Sequence, residues 1–290
     1  MIKGVFLDCT DISRGDISWE PMEKLCDYKY YLESTEEEAK ARLRNTEAVF
    51  VDSFPIDSKI MDDNPQLKYI GIAATGFNHI DIKAAEEKGI AVTNIPAYST
   101  DAVAQHAIAL LLQITNRPGT YDDVDTTPLM LLNGKSLGIV GYGNIGRKVG
   151  EIASSLGMKV IPYSADPEGA ITADVLSLNC PLTEENRHMV DRAFISRMKD
   201  GAILINTARG ALVDEQALAE ALKSGKLKAA GLDVLEKEPP DETCPLLNLE
   251  NCVITPHIAF TPKETREKII ELLAENLRSF LEGGRFNRLV

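Results

Sequence analysis

An arginine, an acid and a histidine carry the chemistry that this chain points to. The arginine stands in Ile205-Asn206-Thr207-Ala208-Arg209-Gly210, at the end of an apolar run and directly before glycine. A guanidinium placed there can present its planar fork to a carboxylate or a carbonyl oxygen. An isolated arginine is more often a surface ion pair. The acid is Glu238, in Gly231-Leu232-Asp233-Val234-Leu235-Glu236-Lys237-Glu238-Pro239, and His257 follows it by 19 residues in Thr255-Pro256-His257-Ile258. A histidine bonded to a buried carboxylate has its protonated form stabilised, which raises its pKa and equips it as a general acid. Taken singly, His257 reads as a packed loop histidine and Glu238 as a solvated acid. Spacing alone leaves open whether the two meet.

A second kind of chemistry is binding. After the apolar run Ser136–Val140 comes Gly141-Tyr142-Gly143-Asn144-Ile145-Gly146, a G-x-G-x-x-G opening a helical pattern with Val149, Ile152, Ala153 and Leu156. The first glycine permits a tight turn, the second lets backbone approach a pyrophosphate, and the third brings helix against strand. Three glycines so spaced arise by chance in about one chain in ten of this length. The strand before and the helix after make the motif informative. At the ribose position Ser164 stands where an acid is expected, with Asp166 as its substitute. No Lys or Arg falls between Val160 and Thr183, whereas Asp166 and Glu168 do, so NAD(H) is expected over NADP(H).

These segments lie at the ends of short apolar runs that alternate with helical patterns, which predicts an α/β fold with parallel sheets. Strands are expected at Gly4–Asp8, Tyr28–Leu32, Ala48–Asp52, Lys68–Ala73 and Ala91–Asn94, then at Ser136–Val140, Lys159–Tyr163, Val175–Asn179, Ala202–Asn206, Ala229–Asp233 and Val253–Thr255. A capping box of Ser34 and Glu37 opens one helix, Asp81–Lys88 forms another, and Asp101–Ile114 reads as a helix buried all round. Further helices are expected at Ile145–Leu156, Asp191–Met198 and Asp214–Ser224. Thr115–Asn133, with Pro118, Gly119, Asp122, Asp123, Asp125 and Pro128, reads as a connector. Only Ser164–Asp174 joins two strands, so any helix there is very short. The amphipathic Pro262–Glu282 is expected to return to the first domain, because the second sheet is complete before it.

Length and composition narrow the partners. A chain of 290 residues makes about two domains. Lys plus Arg is 31 against 44 Asp plus Glu, a formal charge of −13 that disfavours nucleic acid and anionic lipid. No apolar window approaches the ~18 residues of a membrane span, and the N-terminus reaches Asp8 too early for a signal peptide, so a cytoplasmic protein without membrane partner is expected. Five cysteines without a C-x-x-C pair and four histidines without i, i+4 spacing argue against a metal. Of the remaining histidines, His106 reads as a core or interface residue, and His79 and His188 as solvated or packed. Ser99-Thr100-Asp101 reads as a helix cap.

In order and approximate spacing, the glycine loop, Asn206–Gly210, Gly231–Val234 with Glu238-Pro239, and Thr255-Pro256-His257 resemble the D-isomer-specific 2-hydroxyacid dehydrogenases. Ala73–Asn78 and Asn94–Thr100 look most like the glycerate dehydrogenase, or hydroxypyruvate reductase, branch. The resemblance implies two doubly wound parallel-sheet domains. Residues 97–261 would form a Rossmann domain for NAD, and residues 1–96 with 262–290 a flavodoxin-like substrate domain. It implies that Arg209 binds the substrate carboxylate and polarises the keto oxygen, while Glu238 and His257 supply the proton. It further implies that Asn144 and Ile145 meet the pyrophosphate, that Thr207 and Asp233 contact the nicotinamide half, and that amides around Thr75 and Gly76 hold the carboxylate.

The reaction so implied is reversible reduction of a small 2-keto acid by NADH, with hydroxypyruvate and D-glycerate as the leading pair, in a homodimer. Ser164, the short crossover after it and the short connector depart from the family pattern. Phosphoglycerate, lactate, glyoxylate or formate specificity, an NADH-sensing binding protein and a relative that no longer binds dinucleotide are the alternatives. The lack of a basic cluster weighs against a phosphorylated substrate.

Overall fold

The computed structural model describes residues 1–116 and 129–290. They fall into two compact units, Met1–Tyr98 with Thr261–Val290, and Ser99–Phe260. Most of the expected connector lies outside the described residues.

The first unit holds β1 (Ile2–Phe6), α1 (Glu20–Glu23), β2 (Cys26–Tyr30), α2 (Glu36–Arg42), β3 (Ala48–Val51), α3 (Ser58–Asp63), β4 (Tyr69–Ile72), α4 (Ile82–Glu87) and β5 (Ala91–Thr93). Its strands are all parallel, in the order β2-β1-β3-β4-β5, the flavodoxin-like arrangement. β3 and β4 are buried at every position, which is why they read as unbroken apolar runs. Gly71 is forced by packing, since a Cβ there would come within 2.6 Å of the Phe50 ring. The capping box at α2 is Thr35 with Glu38, one residue later than expected. The Ser34 hydroxyl is taken instead by the Leu7 carbonyl and the Arg42 guanidinium.

Helix α10 (Lys263–Leu281) belongs to this unit and buries Ile269, Ile270, Leu273 and Leu277. Its Arg266, 3% exposed, sets a bidentate fork on Asp16 at 2.7 Å and a further bond on the Ile12 carbonyl. Asn276 donates to the Asn94 carbonyl at 2.9 Å, and Leu289 donates to Val92 at 2.8 Å, so the C-terminal tail is tied to β5.

The second unit runs α5 (Thr100–Asn116), β6 (Ser136–Val140), α6 (Asn144–Ser155), β7 (Lys159–Pro162), α7 (Pro167–Ile171), β8 (Val175–Leu178), α8 (Arg192–Arg197), β9 (Ala202–Asn206), α9 (Glu215–Ser224), β10 (Leu227–Leu232) and β11 (Cys252–Ile254). All six strands are parallel, ordered β11-β10-β9-β8-β6-β7. The order reverses at β6, with β7 on one side and β8 on the other, and ligands of open α/β sheets collect at such a switch point. The crossover between them contains only the five-residue α7.

Helix α5 is not buried all round: Asp101, Gln105, Ala109, Gln113 and Asn116 form an exposed stripe. It also extends through Thr115, which was expected to begin the connector. Among the described residues no helix is long and apolar enough to cross a membrane, and no cluster could hold a metal ion. All five cysteines are free.

Candidate active site

The glycine turn follows β6 at the switch point. Gly141 has φ +88°, and a Cβ there would strike Cys180 N at 2.5 Å, so both conformation and the approach of β8's end demand glycine. A Cβ on Gly146 would lie 2.1 Å from the Gly141 carbonyl oxygen. Gly143 differs, because a Cβ there would project into open space. Gly143 caps the twelve-residue α6 without a side-chain hydrogen bond, so the first-turn amides face that space with the positive end of the helix dipole. Asn144 accepts from Arg147 at 2.8 Å. At the end of β9 the Thr207 hydroxyl is buried without a partner, as is Asn179 Oδ1 just past β8. Buried orphans of this kind call for a group to complete them. Open backbone beside Gly143, a free helix N-terminus and an unpartnered hydroxyl together fit a dinucleotide.

The catalytic candidates come from the segments that follow β9, β10 and β11. Asn206 closes the turn after β9, donating to the Arg209 carbonyl at 2.9 Å and accepting from Ala208 N at 3.0 Å. Arg209 is exposed beyond this turn, one of its nitrogens donating to the Ala208 carbonyl. From β10 the chain runs to Glu238, whose Oε1 accepts the Leu235 amide at 2.8 Å and whose Oε2 lies 2.7 Å from His257 Nδ1. Glu215, at the start of α9, accepts the Glu236 amide and so pins the same segment. Arg209, Glu238 and His257 line one cavity of about 180 Å³, with Leu182, Val234 and Leu235 among its walls.

Electrostatics follow from the contacts. The hydrogen bond from Glu238 raises the His257 pKa; burial opposes the shift, the charges of Glu238 and Asp233 add to it, and Arg209 reduces it. Burial pushes Glu238 up, yet the bond and charge of His257 and the Leu235 amide outweigh it and leave the carboxyl below its ordinary value. An ion pair with the proton held on the imidazole is the result.

His257 has φ +52°, a left-handed conformation costing ~1–2 kcal/mol for a residue with a side chain. Asp233 offsets that cost. Its carbonyl accepts His257 N at 2.8 Å, and its carboxylate accepts Ile258 N and Ala259 N, both at 2.9 Å, and the Thr255 hydroxyl at 2.6 Å. Hydrogen bonds to a charged group contribute ~1.5–3 kcal/mol each, so the turn is held firmly. Asp233 is 1% exposed. His106, expected in a core or interface, reaches this cluster from α5. His188, expected in solvent or packing, bonds Glu236 together with Arg187. His79 Nε2 is buried without a partner, and burial lowers its pKa.

Residues 106–259 match the family model described as D-isomer specific 2-hydroxyacid dehydrogenase, NAD binding domain. The chain is 38% identical to the hydroxypyruvate reductase of Blautia hydrogenotrophica over 99% of each chain. It belongs to the D-isomer-specific 2-hydroxyacid dehydrogenases. Among solved structures, the TT0316 protein of Thermus thermophilus matches with TM-score 0.89 and 34% identity over 100% of both chains. D-Lactate dehydrogenase from Aquifex aeolicus, complexed with NAD and lactic acid, matches with TM-score 0.85 and 28% identity over 99% of both.

In this NAD-dependent dehydrogenase the segment after β7 differs from its expected form. Asp166 spends its carboxylate on the Gly169 amide, capping α7. Arg197, remote in sequence, pairs with Glu168. Ser164 stands two residues past the end of β7. Charge reading along the chain could not find Arg197, because only folding brings α8 to α7. Asn206 and Glu215 were missed for a related reason: each acts on backbone, and only Asn206 lay in a quoted motif.

Proposed function

We propose that this dehydrogenase interconverts hydroxypyruvate and D-glycerate with NAD(H), and that Arg209, Glu238 and His257 are its catalytic residues. The proposal is carried by the 2.7 Å contact between His257 Nδ1 and Glu238 Oε2 in a cavity that Arg209 also lines. Glu238 fixes a proton on Nδ1 and leaves Nε2 to exchange one with the substrate oxygen. Arg209 binds the carboxylate and polarises the ketone. Bound NADH supplies the hydride that the keto carbon receives. In reduction Nε2 gives its proton to the oxygen; in oxidation it takes the hydroxyl proton back.

The substrate carboxylate is assigned further to the amides of Thr75 and Gly76. Thr75 spends its hydroxyl on the Ile95 carbonyl and its own carbonyl on Asn94, and neither amide has an acceptor among the described residues. Gly141, Gly143 and Gly146 with the amides of Asn144 and Ile145 are assigned to the pyrophosphate, Ser164 to the ribose and Thr207 to the nicotinamide half. Asp233 serves that half through the turn it holds. NAD(H) is preferred over NADP(H): Asp166 and Glu168 follow the ribose position, and Arg197, which reaches Glu168, is already paired with it. On this reading residues 1–96 with 262–290 form the substrate domain and 97–261 the NAD-binding domain.

Hydroxypyruvate is favoured by the likeness to the Blautia hydroxypyruvate reductase and by a cavity with room for a small acid. We place the enzyme in the cytoplasm as a homodimer. Free cysteines suit a reducing compartment, and Leu129 and Leu131, 66% and 75% exposed, offer apolar surface for a second copy. The test follows NADH absorbance with hydroxypyruvate, glyoxylate, pyruvate and 2-ketobutyrate. Oxidation fastest with hydroxypyruvate supports the reading. Faster oxidation with another acid moves the specificity, and tight NADH binding with negligible turnover of all four replaces the enzyme with a sensor.

A further inference from the structure

We infer that His106 is a positioning residue for the His257 turn, acting through Thr255 and Asp233. It stands on α5, whose neighbouring residues Ala104, Ala107, Ile108 and Leu111 are buried in the core of the second unit. Its Nε2 lies 2.9 Å from Thr255 Oγ1 and 3.3 Å from Asp233 Oδ1.

The direction of this chain follows from counting protons. Thr255 Oγ1 is 2.6 Å from Asp233 Oδ1. Burial raises the Asp233 pKa, but the hydrogen bonds from His106, Thr255 and the Ala259 and Ile258 amides outweigh it and hold the carboxyl ionised. An ionised carboxylate only accepts, so the one hydroxyl proton of Thr255 goes to Asp233. Thr255 is then an acceptor toward His106, and His106 carries its proton on Nε2. The order is His106 Nε2–H to Thr255 O–H to Asp233 Oδ1.

Beyond Asp233 the chain reaches the catalytic loop. The Asp233 carbonyl accepts His257 N, and the same carboxylate that receives Thr255 takes the amides of Ile258 and Ala259. His257 is kept at positive φ by these bonds. His106 therefore ties a long helix to the backbone of the proton donor without touching it. Removing the His106 donor takes away the bond that Thr255 Oγ1 accepts and the longer contact at 3.3 Å on Asp233 Oδ1, which loosens the turn. Because the loosening is in the backbone that carries His257, its effect reaches the proton-transferring ring.

Two variants and two readouts test this. His106→Leu keeps an apolar side chain of similar bulk and removes the donor; His106→Gln keeps an N–H donor. The full chain carries four histidines, so nitrogen-labelled histidine resolves each imidazole by NMR. In His106→Leu the His257 ring signals are expected to shift while those of His79 and His188 stay, and His106→Gln is expected to lie close to wild type. Thr255→Val cuts the chain at its middle, and by itself is expected to shift the His257 signals likewise.

The kinetic readout rests on the proposed hydroxypyruvate reaction. There kcat is expected to fall about 10- to 100-fold in His106→Leu, the range typical of residues that hold a reacting group from behind. His106→Gln should restore most of it, and His106→Leu with Thr255→Val together should be no worse than either alone. His257 signals unmoved in both His106→Leu and Thr255→Val, or moved as far by His106→Gln as by His106→Leu, would overturn the inference. Should wild type reduce no 2-keto acid, the functional proposal fails, and the ring signals alone still decide the coupling.

Discussion

The backbone behind Arg209 lies flat against the backbone leading to Glu238: a Cβ added to Gly210 would come within 1.9 Å of the Leu235 carbonyl carbon. Neighbouring strands β9 and β10 thus deliver the guanidinium and the carboxylate from loops with no side chain between them. Gly210→Ala must spread the two loops. We expect kcat/KM for hydroxypyruvate to fall about 100-fold, since misplacing reacting groups by ~1 Å costs that much. Gly201→Ala, at φ +75° with open space around it, is the control: it should lower stability by ~1 kcal/mol and leave the kinetics alone. Steady-state rates and thermal melting distinguish the two.

Protonation sets the pH profile. Reduction uses protonated His257, whose pKa lies above its ordinary value chiefly because of the Glu238 hydrogen bond. Reduction kcat/KM should therefore be flat on the acid side and fall as pH rises through that raised pKa. Oxidation of D-glycerate uses the neutral ring and should show the mirror profile. Glu238→Gln removes the charge and leaves burial and Arg209 to act, so both midpoints should move to lower pH. An unmoved midpoint in that variant would show that another group titrates.

Two glycines of one loop should fail differently. Gly146→Ala drives a Cβ into the Gly141 carbonyl, so α6 must shift and melting should fall. Gly143→Ala meets nothing within the protein. Its melting should hold while the Kd for NADH rises about 10-fold or more, because the added methyl takes the place assigned to the pyrophosphate. Calorimetry of NADH binding, beside melting curves, checks both.

Cofactor choice rests on the segment after β7. Asp166 is fixed as a cap and Arg197 is paired to Glu168. Wild type should prefer NADH to NADPH by 10-fold or more in kcat/KM. Glu168→Gln, which releases Arg197, should narrow that preference; a wild type that uses the two equally would remove it.

Much of this architecture is readable along the chain. Most of the eleven strands found among the described residues arise from apolar runs, because a parallel sheet buried on both faces leaves such runs unbroken, as β3 and β4 show, whereas the edge strand β2 carries Asp27 and Lys29. Boundaries fared worse where tertiary contacts decide them: β1 and β2 begin two residues earlier than expected, and Arg42 with Leu7 draws Ser34 out of its cap. In the site, Arg209, Glu238 and His257 stood out by residue type and strand-end position. His106 did not, because its partners Thr255 and Asp233 are distant in sequence and its helix looked simply apolar. The stripe of Asp101, Gln105, Ala109 and Gln113 was present in the spacing, but the run Ala107–Leu112 masked it.

The assignment of His257 as proton donor is the claim on which the chemistry turns, and His257→Gln tests it most directly. Measured with hydroxypyruvate and NADH, kcat should drop by about 100-fold or more, the contribution expected of a general acid, while the Kd for NADH stays within about 2-fold. Turnover retained to within a few-fold of wild type would contradict the account.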